Sequence, residues 1–332
     1  MHLNQIENKH FPIINALRGI AALSVCLFHY ICTVTGFINN HFVLDIFQYG
    51  RYGVQMFFVI SGIVIPLSLI NNNYSVKKFP RFFLKRLIRL EPPYLVAIVL
   101  GILYSVVRNF VPGTNQVDIT PSLKEVFLHL GYLIPFFDGA RWISPVFWTL
   151  AIEFQYYIFL GIAFPLIASQ KLYIRSIAYL IFLFSALFSI NRIFLFVHLP
   201  IFLLGINVCL YLLKKISFYE FLIIYILSCI MILFYHTMID LIAANITVLS
   251  VLFIRNYQDR ITSFLGKISY SIYIIHPIFG TAFINYTSHI VHDPWQKLLV
   301  IITGVTITIF SSYVIYKVIE EPSKKLSSKI KI

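Results

Sequence analysis

Apolar residues fill the chain in long unbroken runs, each closed by a short polar or charged stretch. Ten runs are about 20 residues long: 16–36, 52–70, 92–111, 146–168, 173–190, 193–213, 218–236, 238–255, 264–284 and 297–319. About 20 apolar residues in a helix cross a hydrocarbon core of about 30 Å at 1.5 Å per residue. Membrane strands instead alternate apolar and polar positions over about ten residues, and these runs are continuous. The pattern predicts an all-α integral membrane protein, a polytopic bundle of about ten transmembrane helices. The run 125–137 (EVFLHLGYLIPFF) is too short to span and predicts a re-entrant or interfacial helix. It falls within an outer loop over 112–145. No linker divides the chain, so 1–332 reads as one transmembrane domain.

Composition and charge sharpen this picture. Of the residues, 59% are hydrophobic and 12% charged, against roughly 45–50% and about 25% in ordinary soluble chains. Intrinsic disorder needs low hydrophobicity and high charge, and is excluded. With the N-terminus inside, nineteen of the 26 Lys and Arg residues fall on cytoplasmic segments and six on outer ones, with Arg18 inside the first span. That positive-inside bias places both termini in the cytoplasm. The net charge of +13 is then a topology signal and gives no reason to invoke nucleic acid. The N-terminal MHLNQIENKH has no basic region ahead of a cleavage site, so no cleavable signal peptide is expected. Cys26, Cys32, Cys209 and Cys229 sit in apolar runs without CxxC spacing and read as packing residues. No ligand cluster implies a metal.

A charged group inside a span costs about 2.5–3.5 kcal/mol on insertion scales and is a functional candidate by default. Arg18 and His29 lie eleven residues apart in the first span. That is three turns plus about 20°, so the two share a face about 16 Å apart along the axis. An anion-binding group and a proton-transfer group then stand on one line, the His deep in the span. Snorkelling of Arg18 to lipid phosphate, with His29 a satisfied core histidine, fits as well. The stretch FPRFFLKRLIRLE over 79–91 reads as a basic interfacial helix that Glu91-Pro92-Pro93 stops before the third span. Arg86 and Arg89 are helix-surface neighbours. Two such guanidinium groups can bind phosphate oxygens bidentately; a polybasic contact with anionic lipid is the alternative. Glu153 enters the fourth span about 10 Å from the outer face and needs a partner or a wet cavity there. Trp148 suits an outer aromatic belt. Tyr270, Tyr273 and His276 of the ninth span can line a polar channel or glue helices together. Ser61, among small and aromatic residues of the second span, permits close packing or room for a slender ligand.

Taken in order, LRGIAALSVCLFH, YGVQMFFVISG, FLKRLIRLEPPY, FWTLAIEFQYY, LGKISYSIYIIHP and the terminal IEEP resemble the acyltransferase-3 family of integral-membrane O-acyltransferases. The matching pieces run from end to end of the chain. In that family a basic residue ahead of a His marks the first span, which maps onto Arg18 and His29. An RxxR motif follows the second span, which maps onto Arg86 and Arg89. The resemblance implies transfer of an acetyl group from cytoplasmic acetyl-CoA to a hydroxyl of an extracytoplasmic acceptor, at a bacterial cytoplasmic (inner) membrane. The favoured acceptors are surface glycans (O-antigen, lipooligosaccharide or exopolysaccharide), with a peptidoglycan-linked glycan or a small secreted metabolite as the alternatives. Many members carry a fused SGNH hydrolase-like domain; this chain is expected to be a stand-alone member.

The resemblance also gives the polar residues roles. Arg86 and Arg89, with Arg18, would hold the phosphate-rich head of coenzyme A. The pantetheine arm would thread the bundle toward His29. His29 would act as general base, with Glu153 or another polar group orienting or charging its imidazole. An acyl-imidazole on His29 is the other mechanism. The general base is the expectation, because one deep pore can bring both substrates together. A different class, a secondary transporter or glycan flippase, would use the buried Arg, His and Glu residues as a relay. Such folds often show paired broken spans in two halves, and this sequence shows no such symmetry.

Overall fold

The computed structural model describes residues 11–109, 120–188 and 191–332. The first ten residues, 110–111 of the third expected span, 112–119 of the outer loop and 189–190 of the fifth span lie outside the described residues. Each of the ten runs falls on a helix, and no strand occurs among the described residues. The first half holds α1 (Ile13–Cys32), a short α2 (His41–Phe47), α3 (Gly53–Asn71), α4 (Phe79–Asn109), α5 (Leu123–Leu130) and α6 (Phe147–Ile167). The second half holds α7 (Leu172–Phe184), α8 (Leu195–Leu212), α9 (Phe218–Tyr235), α10 (Met238–Phe253), α11 (Arg260–His276), α12 (Ala282–Thr287), α13 (Pro294–Ile315) and α14 (Glu321–Ser328).

Among the described residues, seven helical stretches are long and apolar enough to cross a membrane. The other three expected spans differ for two reasons. The helices α7 (with its following turn) and α10 are apolar but shorter than 18 residues. The stretch α11–α12 trades apolar residues for Ser269, Ser271, Tyr273 and His276, all buried within the protein. Its polarity is spent inside the bundle, where hydropathy counts against it.

One boundary is corrected. The sequence predicts a stop at Glu91-Pro92-Pro93, yet a single helix of 31 residues runs through it. Two prolines remove two N–H donors from the ladder. Within a bundle, neighbouring side chains can satisfy the freed carbonyls. Tyr270 of α11 buttresses this turn, donating its hydroxyl to the Leu90 carbonyl at 3.0 Å. The basic 79–91 stretch is therefore the first part of α4, rigidly joined to the rest of the helix. The run 125–137 holds α5 and a turn at Ile134–Phe136. Ser122 and Glu125 form a capping box at the start of α5, and Leu123 and Phe127 face outward.

Two close crossings organise the bundle. α1 lies against α11 so tightly that a Cβ on Gly266 would fall 2.0 Å from the Asn15 carbonyl oxygen. α3 meets α8 where a Cβ on Gly62 would fall 2.3 Å from the Phe202 carbonyl oxygen. Small residues allow such backbone approach, which drives helix association where lipid supplies no hydrophobic force. Two wide turns follow: Pro277–Thr281 joins α11 to α12, and Tyr316–Glu320 joins α13 to α14. Such turns insert a residue into the helix and concentrate at functional sites. His276 immediately precedes the first, and Glu320 ends the second.

Candidate active site

Residues of helices α1, α3, α4, α6 and α11 line one cavity. Helical spacing aims its polar groups. Arg86 and Arg89 are one turn apart on α4, as are Glu153 and Tyr157 on α6, and Tyr270 and Tyr273 on α11. Arg18 enters from α1 and Ser61 from α3. Seven residues proposed from the sequence thus line one space: Arg18, Ser61, Arg86, Arg89, Glu153, Tyr270 and Tyr273.

The charge in this space is unbalanced. Arg86 is 5% exposed, with its guanidinium carbon 5.5 Å from the Phe82 ring and 5.8 Å from the Tyr157 ring. The Nε atoms of Arg18, Arg86 and Arg89 are all buried without a hydrogen-bond partner. Among the described residues no carboxylate forms an ion pair with any of the three. Among the described residues Glu153 is the one acid on the cavity wall. It accepts from the Ser61 hydroxyl at 2.9 Å and the Tyr157 hydroxyl at 2.5 Å. Three guanidinium groups against one carboxylate leave a net positive hollow. A buried charge without a partner costs several kcal/mol, and the natural relief is an anion presenting several oxygens. Phosphate groups meet that description.

His29, His276 and Trp148 do not line this cavity. Trp148 packs against His198, ring to ring at 6.0 Å. His29 sits in the last turn of α1, because the helix closes at Cys32 and not at 36 as expected. It is therefore near the end of the helix, not deep within it. Glu153 makes no hydrogen bond to His29. The polar group at the His29 ring is His276, whose Nε2 lies 3.1 Å from His29 Nδ1. Tyr273 stands between the histidines and the cavity. Its hydroxyl is 2.8 Å from Thr149 Oγ1, its ring 6.1 Å from His276 and 5.4 Å from Phe57.

Sequence reasoning passed over two participants. Tyr157, which fixes Glu153, follows it by one helical turn. Glu320 is 1% exposed; it accepts from the Ser271 hydroxyl at 2.6 Å and pairs with Lys324 at 2.6 Å. Its only signal was an acid one residue beyond the expected end of the tenth span, in the IEEP motif.

Comparison with known proteins bears on this geometry. A family model described as an acyltransferase domain matches residues 11–317. The chain is 29% identical over 160 residues to the peptidoglycan O-acetyltransferase OatA of Listeria monocytogenes serovar 1/2a, covering 46% of this chain and 24% of that protein. It is 23% identical to the "Putative O-acetyltransferase SACOL0978" of Staphylococcus aureus strain COL, covering 96% of this chain and 58% of that protein. The chain thus spans less than two thirds of the length of these relatives. No solved structure matches it. Since the family match takes in the helices of the charged cavity and both histidines, the chain belongs to the acyltransferase-3 family of membrane acyltransferases.

Proposed function

We propose that this chain is a membrane-embedded O-acetyltransferase. It would move an acetyl group from acetyl-CoA on the cytoplasmic side to a hydroxyl of an extracytoplasmic surface glycan, at a bacterial cytoplasmic membrane. The observation that carries the reading is the cavity lined by three guanidinium groups that have buried, unbonded Nε atoms and no ion-pair partner among the described residues. Family membership supports acyl transfer, and the names of the relatives support O-acetylation of a glycan. Coenzyme A adds the anion that the cavity lacks, since its head carries a diphosphate and a further phosphate. Arg18, Arg86 and Arg89 would bind those oxygens. The charge bias of the loops supports ten crossings with both ends cytoplasmic.

In the reaction His29 serves as general base. The acceptor hydroxyl gives its proton to His29 as its oxygen attacks the thioester carbonyl carbon. A new C–O bond forms, the C–S bond breaks, and His29 returns the proton to the departing thiolate. The imidazole suits this exchange because its unperturbed pKa lies near neutrality.

The test is thermal stabilisation of the detergent-purified protein by CoA and acetyl-CoA, run beside acetyl transfer. Ligand that binds only the native state raises its melting temperature by mass action. Wild type is expected to shift; Arg86→Ala and Arg89→Ala are expected to lose the shift. His29→Ala is expected to keep the shift and lose transfer. A folded wild type that shows no shift at millimolar CoA refutes the donor assignment.

A further inference from the structure

α11 ends in a fully enclosed imidazole, His276, which is 0% exposed. Its Nδ1 lies 3.1 Å from the Ile272 carbonyl oxygen and its Nε2 3.1 Å from His29 Nδ1. His29 Nδ1 in turn lies 2.9 Å from the Val25 carbonyl oxygen. A neutral imidazole has one donor nitrogen and one acceptor nitrogen, and a carbonyl only accepts. The Ile272 contact therefore puts the proton of His276 on Nδ1 and leaves its Nε2 a bare acceptor. The Val25 contact puts the proton of His29 on Nδ1, where it is shared between Val25 and His276. This single assignment satisfies all three contacts; any other neutral one sets two lone pairs against each other. It leaves the lone pair of His29 on Nε2, which has no hydrogen-bond partner among the described residues.

We propose that His276 is a positioning residue for His29: it fixes the tautomer that carries the basic lone pair on Nε2, and it steadies the imidazolium that forms when Nε2 takes a proton. The inference rests on the proposed function, in which His29 is the base. It fills the orienting role for which Glu153 was expected, since Glu153 is held by Ser61 and Tyr157. Protonation at Nε2 turns the Nδ1–H contact with His276 into a charge-assisted hydrogen bond, roughly twice as strong as a neutral one. The carbonyl end of α1 acts in the same direction, because His29 lies in its last turn. The proton stays on His29. Passing it on would place the cation on a ring with no access to solvent, which is costly. When Nε2 gives its proton to the leaving thiolate, both imidazoles return to their starting state.

Three variants test the proposal. His276→Phe keeps the ring and its aromatic neighbours but removes the acceptor. His276→Gln offers an amide oxygen where Nε2 stood, and His276→Asn offers one where Nδ1 stood. The expected result for His276→Phe is a kcat for acetyl transfer lowered about 100-fold or more, the scale set by removing an orienting group behind a catalytic histidine. The KM for acetyl-CoA and the melting shift with CoA should stay within about twofold. His276→Gln should recover at least about tenfold of the loss, and His276→Asn should not. A Phe variant with kcat close to wild type overturns the proposal. Equal activity in the Gln and Asn variants overturns it too, and that comparison decides the matter if the Phe variant does not fold. His29→Ala separates the two levels. If it stays active, the base assignment itself is wrong; if it is inactive beside a fully active His276→Phe, only the positioning role is lost.

Discussion

Replacing Arg86 by methionine distinguishes a ligand-binding arginine from a structural one, because the two predict opposite signs. A buried arginine held by a carboxylate leaves that carboxylate stranded when removed, at about 3–5 kcal/mol. Arg86 has no such partner among the described residues. It is 5% exposed, its Nε is unsatisfied, and Arg89 stands one turn away. Removing it forfeits contacts with the Phe82 and Tyr157 rings, each worth about 0.5–2 kcal/mol. It also removes a desolvation penalty of several kcal/mol. The ligand-free variant is therefore expected to melt at or above the wild-type temperature. With CoA the order reverses. One lost charge-assisted hydrogen bond costs about 1.5–3 kcal/mol, which is about 10- to 150-fold in Kd. At ligand equal to 100 times Kd, wild type gains about 2.7 kcal/mol. A variant binding about 30-fold more weakly gains about 0.9 kcal/mol at the same concentration. The assay is melting in detergent with and without CoA. A ligand-free variant destabilised by 3 kcal/mol or more (about 3, on the buried-pair scale) with an undiminished CoA shift refutes the reasoning.

Further outcomes follow from other sites. His29→Ala should lower kcat by about 100- to 10,000-fold, the usual contribution of a general base, measured as acetyl transfer at saturating acetyl-CoA. Gly62→Val should lower the melting temperature sharply, because even a Cβ there meets the Phe202 carbonyl oxygen at 2.3 Å; overpacking costs about 1–3 kcal/mol when neighbours can yield, and backbone yields least. Tyr273→Phe removes the hydroxyl contact with Thr149 and should cost about 0.5–1.5 kcal/mol of stability, read from denaturation. Glu125 sets an acid limit. Burial acts to raise its pKa, but the Ser122 and Arg141 backbone N–H groups, helped by the Arg141 guanidinium and Ser122 hydroxyl, hold it down at about 2. Its stabilisation is complete above the ordinary value of 4.5 and is lost as pH falls toward about 2. Melting of wild type across that window should drop more steeply than that of Glu125→Gln.

How much of this was legible in the sequence depended on the range of the signal. Helix positions were legible, because each apolar run needs only its own residues to declare itself. The ends were less so: α1 closes at Cys32 where the apolar run continues to 36, since a helix ends by local geometry and not by polarity. The passage of α4 through Pro92 and Pro93 was not legible, because the helices that pack around that turn come from distant sequence: Tyr270, which donates to the Leu90 carbonyl, is 180 residues away. Convergence of Arg86 with Arg89 followed from helix arithmetic. Their meeting with Arg18 and Glu153 in one cavity required the fold. The same holds for His29 and His276, which are separated by 247 positions. Each was visible as a buried histidine; that one serves the other is a property of the α1–α11 crossing, which glycines at 19 and 266 permit.

That crossing also weighs enzyme against transporter. A proton-coupled carrier needs a chain of titratable groups along which charge can pass, so carboxylate and imidazole should meet. Around the cavity the acids are kept apart from the His29–His276 pair. Glu153 is tied to Ser61 and Tyr157, and Glu320 to Ser271 and Lys324. The histidine pair touches neither, and Tyr273 bonded to Thr149 lies between it and the arginines. In this region the charged groups therefore form two stations instead of one path: a cationic hollow and an imidazole whose Nε2 has no hydrogen-bond partner among the described residues. A relay has no use for a hollow in which three guanidinium groups face one carboxylate. A transferase using the proposed coenzyme A donor would, because that donor brings the counter-charge with it and leaves with it after the acyl group is passed on. Three arginines against one carboxylate are costly to bury, and a ligand rich in phosphate oxygens would offset that cost while leaving His29 Nε2 free to act.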